Sequence, residues 1–298
     1  MSSRNDLVIY LISGPAHIPY LTVSIWSLRK SGYTGPVTVF AWPESVGFMR
    51  DLERDDRLNI WVSEREPQYR KQDGLGGNSQ GLDRIALAQS LDCDVSLYID
   101  ADSSIHGDIR PIFDVADNYG YCATQWCDWV TNHGHTYSRV RELLGVGGIP
   151  KELVDEVITH RWPSLNCGVF ASKPSSPLLP QWHEWCKMCG SMFISDEKTQ
   201  HLLMSAFPNQ IGVWMGGAFN CSPKFQPAGL VDKDVVIYHY HGDSNVRPQK
   251  SPRGWEIWHP MWTEVLIQNI GGIAQHWHLM GNKWLPKLIK SGEMEAYA

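Results

Sequence analysis

The sequence predicts an α/β protein with a central, mostly parallel sheet flanked by helices. Short apolar runs typical of buried strands alternate with segments of helical periodicity through the first half of the chain. Strands that alternate with helices form parallel sheets covered on both faces. With 298 residues, 43% of them hydrophobic, the chain is long enough to bury such a sheet in its own core.

The predicted elements follow one another from residue 7 to the C-terminal region. The predicted strands are 7–12, 37–41, 58–62, 95–99, 168–172 and 235–240. The predicted helices are 19–31, 45–53, 82–91, 151–160, 178–189 and 196–206, followed by a Trp-rich helical tail from residue 254. No repeat or linker divides the chain, so we expect one domain over 1–298, with 246–298 as an extension packed on the core.

Residues 68–81 are predicted to form a mobile loop. This stretch holds four glycines among Lys, Arg, Gln, Asn and Asp, which is too polar and too glycine-rich for a regular element. Loops of this kind often carry function on a rigid scaffold.

Composition excludes several classes of protein. A net charge of −6, with no basic stripe, argues against a nucleic-acid-binding surface. The uncharged stretch 7–28 is broken by glycine and prolines, so we expect no transmembrane segment, and no signal-peptide pattern follows the apolar run 7–12. Seven cysteines without framework spacing indicate free thiols in a reducing compartment, which favours the cytoplasm.

Three Asp-x-Asp pairs occur, and their positions separate them. The pairs at 92/94 and 232/234 precede predicted strands, whereas Asp100 and Asp102 follow the strand 95–99 at its carboxyl end. Open α/β sheets place their ligands at that edge. Two carboxylates that point the same way suit a divalent cation such as Mn²⁺ or Mg²⁺, although a strand-end turn with two capping carboxylates explains this pair equally well.

A second polar group follows another predicted strand. His239 and His241 lie in phase at the end of 235–240 and precede Gly242. A neutral imidazole ligates Mn²⁺ as well as zinc, so either histidine can complete a metal site begun by the aspartates.

Residues 97–114 resemble the signature of GT-A-fold nucleotide-sugar glycosyltransferases. The segment reads Leu-Tyr-Ile-Asp-Ala-Asp-Ser-Ser-Ile-His-Gly-Asp-Ile-Arg-Pro-Ile-Phe-Asp, similar to the family's Asp-x-Asp, Gly-Asp-Ile and Phe-Asp motifs. Asn-Cys-Gly-Val-Phe at 166–170 and His-Tyr-His-Gly at 239–242 follow in the family's order. The resemblance covers about residues 7–245 and is closest to the retaining group that includes glycogenin and bacterial lipopolysaccharide galactosyltransferases.

The resemblance implies a GT-A fold and assigns roles to individual residues. It implies metal ligation by Asp100, Asp102 and His239, since the His-x-x-Gly spacing selects His239 over His241. It implies catalytic or sugar-orienting roles for Asn166, Asp196 and Glu197. The residues implied to bind the donor nucleotide are Leu11, Ile12, Ser13, Arg84, Asp100, Ala101, Asp102, Gly168, Gly242 and Arg247.

Two positions depart from the family pattern. Glu197 replaces the family's usual Gln. Asn245 stands where the family has the Lys of its Lys-Pro-Trp motif, and Arg247 follows two residues later. The sequence alone therefore leaves phosphate contact by Arg247 open.

The resemblance implies a metal-dependent transferase that moves a sugar from a nucleoside diphosphate sugar, such as a UDP-sugar, to a glycan or other hydroxyl acceptor with retention. Two alternatives are a nucleotidyltransferase that makes sugar nucleotides and a non-catalytic sugar or nucleotide binder. Against a nucleotidyltransferase, this sequence lacks the Gly-rich basic loop that such an enzyme would have after the first strand. Residues 13–17 offer no cation beyond His17. We expect the acceptor to meet the irregular segment that holds Trp126, Trp129, His133 and His135.

Overall fold

The computed structural model describes residues 4–70, 73–127, 137–160, 162–247 and 250–276. The strands in this part are β1 Asp6–Ile12, β2 Val37–Ala41, β3 Trp61–Glu64, β4 Val95–Ile99, β5 Ser103–Ile105, β6 Tyr121–Cys127, β7 Ser164–Leu165, β8 Val169–Ser172, β9 Gly212–Trp214 and β10 Ile237–His239. The α-helices are α1 Ile18–Lys30, α2 Pro43–Glu53, α3 Asn78–Gln89, α4 Arg110–Tyr119, α5 Lys151–His160, α6 Leu178–Met188, α7 Ser195–Ala206 and α8 Pro252–Ile267.

Eight strands form the central sheet in the order β3-β2-β1-β4-β8-β6-β7, with β9 also paired to β6. Strands β3, β2, β1 and β4 are parallel, whereas β8 pairs antiparallel with both β4 and β6. Only β7 and β8 therefore run against the common direction of this sheet. The predicted mostly parallel sheet is confirmed.

Helices cover both faces of the sheet, as predicted. Alternate side chains of β1 enter different clusters, with Val8 and Tyr10 in one and Ile9 in the other. The first cluster is closed by residues of α1, α2, α4 and α8. The second is closed by residues of α3, α5, α6 and α7. This layering leaves the carboxyl edge of β1 and β4 open between the two helical layers.

A short ribbon joins the central sheet at that edge. Strand β5 follows β4 after three residues and pairs antiparallel with β10, with Ser103 opposite His239. The chain also links directly across the junction, because Tyr240 N donates to Asp102 O at 2.9 Å. The ribbon places the end of β10 beside residues 100–102.

The structure differs from the sequence prediction at the proposed loop. Helix α3 begins at Asn78, not at residue 82, so the end of 68–81 is helical. Asn78 is buried, and its side-chain amide donates to Cys186 O at 3.0 Å and Gly190 O at 2.8 Å. This tertiary contact outweighs the polar composition of the segment. Strands β5, β7 and β9 are too short to leave an apolar run and were not predicted. Strand β6 and helix α4 were not predicted either, and β3 begins at Trp61 instead of residue 58.

The helical tail predicted after residue 254 is present as α8. Its Trp258 and Trp262 are buried in the first cluster, and the Trp258 ring lies 5.8 Å from that of Tyr20 on α1. Residues 277–298 of the predicted extension lie outside the described residues, so the extension as a whole stays a prediction. In the described part of the chain, no helix has the length and apolar character needed to cross a membrane.

Candidate functional site

Asp100, Asp102 and His239 meet where β4, β5 and β10 join. His239 Nε2 lies 3.4 Å from Asp102 Oδ1 and 3.5 Å from Asp100 Oδ2. The three potential ligand atoms all lie within 4.8 Å of one another. The structure therefore brings together the three residues that the resemblance implied as metal ligands.

The second oxygen of each carboxylate is held by the protein. Tyr98 Oη donates to Asp100 Oδ1 at 2.7 Å, and the Gly242 N–H donates to Asp102 Oδ2 at 2.5 Å. Gly242 has a φ of 103°, a left-handed conformation that glycine adopts without steric penalty. Each aspartate therefore keeps one oxygen directed toward His239.

Electrostatics at this cluster favour a positive charge beside the carboxylates. Burial alone would raise the pKa of Asp102, but His239, His241 and the Gly242 N–H hold it well below its usual value. Burial alone would lower the pKa of His239, but Asp102 and Asp100 raise it. A divalent cation meets the same demand: carboxylates are ligands of both Mn²⁺ and Mg²⁺, and an added imidazole favours the transition metal Mn²⁺. These residues fit such an ion.

His241 lies beside the cluster instead of completing it. Its ring centroid is 4.0 Å from that of His239 and 5.0 Å from that of Trp126. Among the described residues, its Nε2 atom is buried and has no hydrogen-bond partner. His241 therefore stays outside the group of three potential metal ligands.

Arg84 supplies a fixed cation next to the aspartates. Its Nη1 atom donates to Cys167 O at 3.0 Å and lies 3.5 Å from Asp100 Oδ1, while its Nε lies 3.6 Å from Asp196 Oδ2. The guanidinium also packs 5.1 Å over the Tyr98 ring. Burial opposes its charge, but the nearby carboxylates raise its pKa above the ordinary value, so it stays protonated.

Two cavities open at this centre, and a third adjoins the second. The first, of about 450 Å³, runs from the end of β1 to the aspartates. It includes most of the residues that the resemblance assigned to the nucleotide, namely Leu11, Ser13, Arg84, Asp100, Ala101, Asp102 and Gly242. His17, Tyr20 and Gln80 also line it and were not predicted to.

Two predicted nucleotide-binding residues lie away from the cavities. The side chain of Ile12 is 1% exposed in the core, and its carbonyl accepts from Trp42 N at 2.9 Å. Arg247 is not among the residues that line the three cavities, and its carbonyl accepts from Ser251 N at the start of α8. Nucleotide contact by Ile12 and Arg247 stays a prediction from the resemblance.

The second cavity, of about 270 Å³, opens on the other side of the aspartates and includes Asn166, Gly168, Asp196 and Glu197. Asn166 Oδ1 accepts from Gly168 N at 2.8 Å, and its Nδ2 donates to Glu197 Oε2 at 2.7 Å. The polar residues predicted from the sequence therefore share one cavity with Asp100, Asp102 and His239.

Arg139 is a site residue that the sequence analysis missed. Its Nη1 donates to Glu197 Oε1 at 2.5 Å, so both oxygens of Glu197 have a donor. Burial raises the pKa of Glu197, an effect that Arg139 and Asn166 oppose. Arg139 follows a stretch without periodicity, and no motif in the sequence marks it.

The third cavity, of about 350 Å³, shares Asn166, Glu197 and His241 with the second. Its other walls include the aromatic side chains of Trp126 and Phe225, whose rings meet edge to face with centroids 5.6 Å apart. The predicted acceptor residues Trp129, His133 and His135 lie outside the described residues.

Solved structures share this fold at low sequence identity. A galactosyltransferase, LgtC, in complex with donor and acceptor sugar analogues, has a TM-score of 0.57 at 16% identity, covering 87% of this chain and 95% of that chain. The chain has the GT-A fold. Mouse xyloside xylosyltransferase 1 gives a TM-score of 0.51 at 15% identity, covering 79% and 98% of the two chains.

A third match covers less than half of a longer protein. The bifunctional glycosyltransferase WbbM has a TM-score of 0.52 at 11% identity and matches 81% of this chain but 46% of its own length. No protein-family model matches the sequence. No curated protein matches it either. The GT-A fold predicted from the sequence resemblance is thus confirmed by structural similarity.

Proposed function

We propose that the chain is a metal-dependent glycosyltransferase that moves a sugar from a nucleoside diphosphate sugar to a hydroxyl acceptor. The observation that carries this proposal is the cluster of Asp100, Asp102 and His239 at the junction of the first and second cavities. A diphosphate bound there would have space for its nucleoside on one side and for its sugar on the other. The GT-A fold of the chain is consistent with this arrangement.

The first cavity suits the nucleoside of a donor such as a UDP-sugar. Its walls combine the end of β1, at Leu11 and Ser13, with the rings of His17 and Tyr20. Aromatic faces stack on nucleobases, and strand-end backbone can read their edges. We infer that Asp100, Ala101 and the neighbouring glycine at 242 border the diphosphate.

Breaking the anomeric bond requires stabilisation of the departing diphosphate. A divalent cation such as Mn²⁺ or Mg²⁺, when bound by Asp100, Asp102 and His239, would act as a Lewis acid on the diphosphate oxygens. Arg84 adds a second positive charge whose position is fixed by Cys167 O. Because Arg84 is already ordered, no reorganisation is needed as charge develops.

The second cavity would hold the donor sugar. Asn166 and Glu197 are locked together at 2.7 Å, and Asp196 is steadied by Arg84, so their polar atoms are set before the sugar arrives. We infer that these groups orient the sugar hydroxyls and stabilise positive charge at the anomeric carbon.

The third cavity is the proposed acceptor side. The Trp126 and Phe225 rings offer apolar faces for a glycan ring, and Glu197 borders both this cavity and the second. Closure of the part of 68–81 that precedes helix α3 over the donor, which would exclude water, belongs to the same proposal. We further propose that residues 1–298 act as one catalytic domain.

Ligand-dependent thermal stabilisation tests the proposal. The full chain is heated with nucleoside diphosphates, nucleoside triphosphates and free glycans, each with and without Mn²⁺. A rise in Tm with a nucleoside diphosphate that requires Mn²⁺, followed by transfer from the matching sugar nucleotide, is expected. Stabilisation only by triphosphates would favour a nucleotidyltransferase, and stabilisation only by glycans would favour a sugar binder.

Aspartate variants supply the matched control. Asp102→Asn should abolish the Mn²⁺-dependent rise in Tm because it weakens a direct ligand. Asp94→Asn and Asp234→Asn change the two other Asp-x-Asp pairs, which lie outside the cavities, and should behave like the wild type. Equal losses in all three variants would remove the reason for placing the metal at Asp100 and Asp102.

A further inference from the structure

A hydrogen-bond chain lies behind His239, on the side away from the aspartates. It begins at Thr124 on β6, whose hydroxyl donates to Val169 O at 2.6 Å. A carbonyl oxygen cannot donate, so the single hydroxyl proton of Thr124 is committed to Val169. Thr124 can therefore only accept from its next neighbour, Asn220.

Asn220 can satisfy its neighbours in one orientation only. One end of its amide lies 2.9 Å from Thr124 Oγ1 and 3.2 Å from Asn166 O, and both of these atoms accept. That end must be the Nδ2 donor, and the opposite end must be Oδ1. The hydrogen-bond network thus fixes an assignment that an isolated amide would leave open.

The orientation of Asn220 decides which nitrogen of His239 carries the proton. Asn220 Oδ1 lies 3.0 Å from His239 Nδ1, so Nδ1 must donate. In the neutral ring, Nε2 then keeps its lone pair. Nε2 is also the atom that faces Asp102 and Asp100, at 3.4 and 3.5 Å.

We propose that Asn220, held in place by Thr124, is a positioning residue that prepares His239 to bind a divalent cation through Nε2. The inference rests on the metal site proposed above. Thr124 and Asn220 are 0% exposed and His239 is 2% exposed, so water cannot take the place of a hydrogen-bond partner that a substitution removes. Such partners orient a metal-bound histidine and fix its tautomer.

The opposite orientation of Asn220 would work against the metal. A flipped amide would present Nδ2 to the ring, which would then have to accept at Nδ1 and carry its proton on Nε2. An Nε2–H donor would bond to the carboxylates of Asp100 and Asp102 and occupy the place of the cation. The two acceptor-only neighbours of Asn220 Nδ2 exclude this state.

Mn²⁺ binding to the full chain, without nucleotide, tests the inference by calorimetry. Asn220→Leu keeps the side-chain size and removes the acceptor, so Mn²⁺ affinity should fall about 10- to 100-fold, the usual cost of losing such a partner. Thr124→Val should weaken binding by a smaller factor, whereas Thr124→Ser, which keeps the hydroxyl, should match the wild type. Asn118→Leu, at an exposed position of α4, is the control for the substitution itself.

Pulsed electron paramagnetic resonance of bound Mn²⁺ gives a readout that a purely structural role would not change. The wild type should show coupling to one histidine nitrogen, absent in His239→Gln and weakened in Asn220→Leu. A folded Asn220→Leu protein with wild-type affinity and coupling would overturn the inference. Should that variant not fold, equal affinities of Thr124→Val and Thr124→Ser would overturn it instead.

The outcome for the wild type separates this inference from the proposed function. A wild-type protein that binds no Mn²⁺ would contradict the metal site itself. A wild type that binds Mn²⁺ with all variants equal would leave the metal site intact and reject only the role of Asn220. Nitrogen-15 NMR with Mg²⁺ adds a direct check, because a His239 ring protonated at Nε2 would contradict the inferred tautomer.

Discussion

The ring of His239 occupies the space that a side chain on Gly168 would need. A Cβ atom built on Gly168 would clash with His239 Cε1 and would lie 2.9 Å from Asn166 Oδ1. Both neighbours are buried, and the Asn166 amide is held by two hydrogen bonds. The glycine at position 168 is thus required by the close approach of His239.

Gly168→Ala should therefore displace His239 and weaken Mn²⁺ binding by about tenfold or more, the scale of a lost histidine support. Titration calorimetry measures the effect. Gly47→Ala is the matched control, because a Cβ atom at Gly47 would have no heavy atom within 4 Å. Unchanged Mn²⁺ affinity in Gly168→Ala would show that the ring can move aside without consequence.

Replacement of Glu197 by glutamine should destabilise the protein, even though the family that the sequence resembles has glutamine at this position. Asn166 Oδ1 accepts from Gly168 N, so the Nδ2 donor of Asn166 is fixed toward Glu197, and Arg139 donates to the other oxygen. A glutamine amide would place a donor against one of these donors. We expect Glu197→Gln to lose about 1–3 kcal/mol of unfolding free energy, the cost of an unsatisfied buried donor.

A double-mutant cycle with Arg139→Met checks this explanation. If the pair interacts directly, the two losses should not add, and the interaction energy should be about 0.5–3 kcal/mol. Strict additivity in urea denaturation would contradict a direct Arg139–Glu197 interaction.

His201 should make the fold sensitive to acid. Its Nδ1 donates to Glu197 O at 2.7 Å, its Nε2 accepts from Leu165 N at 3.0 Å, and burial lowers its pKa to about 4. Between pH about 6.5, the value of an unfolded histidine, and pH about 4, the unfolded chain binds a proton that the folded chain does not. The stabilisation is therefore complete above pH 6.5 and falls as the pH drops through this window.

Denaturant unfolding at several pH values measures that loss. The wild type should lose about 2 kcal/mol more than His201→Gln between pH 7 and pH 5, from a slope of about 1.4 kcal/mol per pH unit below pH 6.5. Parallel curves for the two proteins would show that His201 does not titrate in this range.

The proposed transfer should retain the anomeric configuration of the donor. The resemblance to retaining enzymes predicts this outcome, with Asp196 and Glu197 beside the donor. Proton NMR of the first product, formed from a donor of known configuration, measures it directly. An inverted product would point instead to Glu197 as a general base, since it also borders the third cavity, and would leave the fold and the metal site unaffected.

Strand ends were the part of the site that the sequence could predict. Asp100 and Asp102 follow the apolar run of β4 at its carboxyl edge, whereas His239 lies in β10 of the separate antiparallel ribbon, and only the resemblance selected it over His241. The supports of the site were not predictable in this way. Asn220 contacts Thr124 across 96 residues, and no local pattern records that contact.

The fold, too, was predictable where local sequence pattern sets an element and not where a long-range contact does. Strands such as β2 and helices such as α5 match their predicted bounds because each carries its own hydrophobic periodicity. Helix α3 begins earlier than predicted because the Asn78 amide bonds to carbonyls 108 and 112 residues away. In a sequence, a polar side chain that hydrogen-bonds to distant backbone cannot be distinguished from a loop residue.

The ribbon of β5 and β10 places His239 on a different sheet from the strand that leads to Asp100, so the proposed metal site joins two sheets. Asp100 follows β4 of the eight-stranded sheet, whereas His239 lies on β10, which pairs with β5 over three residues and is also held by Cys221, whose carbonyl accepts from His239 N at 2.9 Å. Local opening of the ribbon would separate the proposed ligands without unfolding of the central sheet. A bound cation acts in return as a cross-link between residues 100 and 239, and should slow hydrogen exchange at the Tyr240 amide while leaving β1 unchanged.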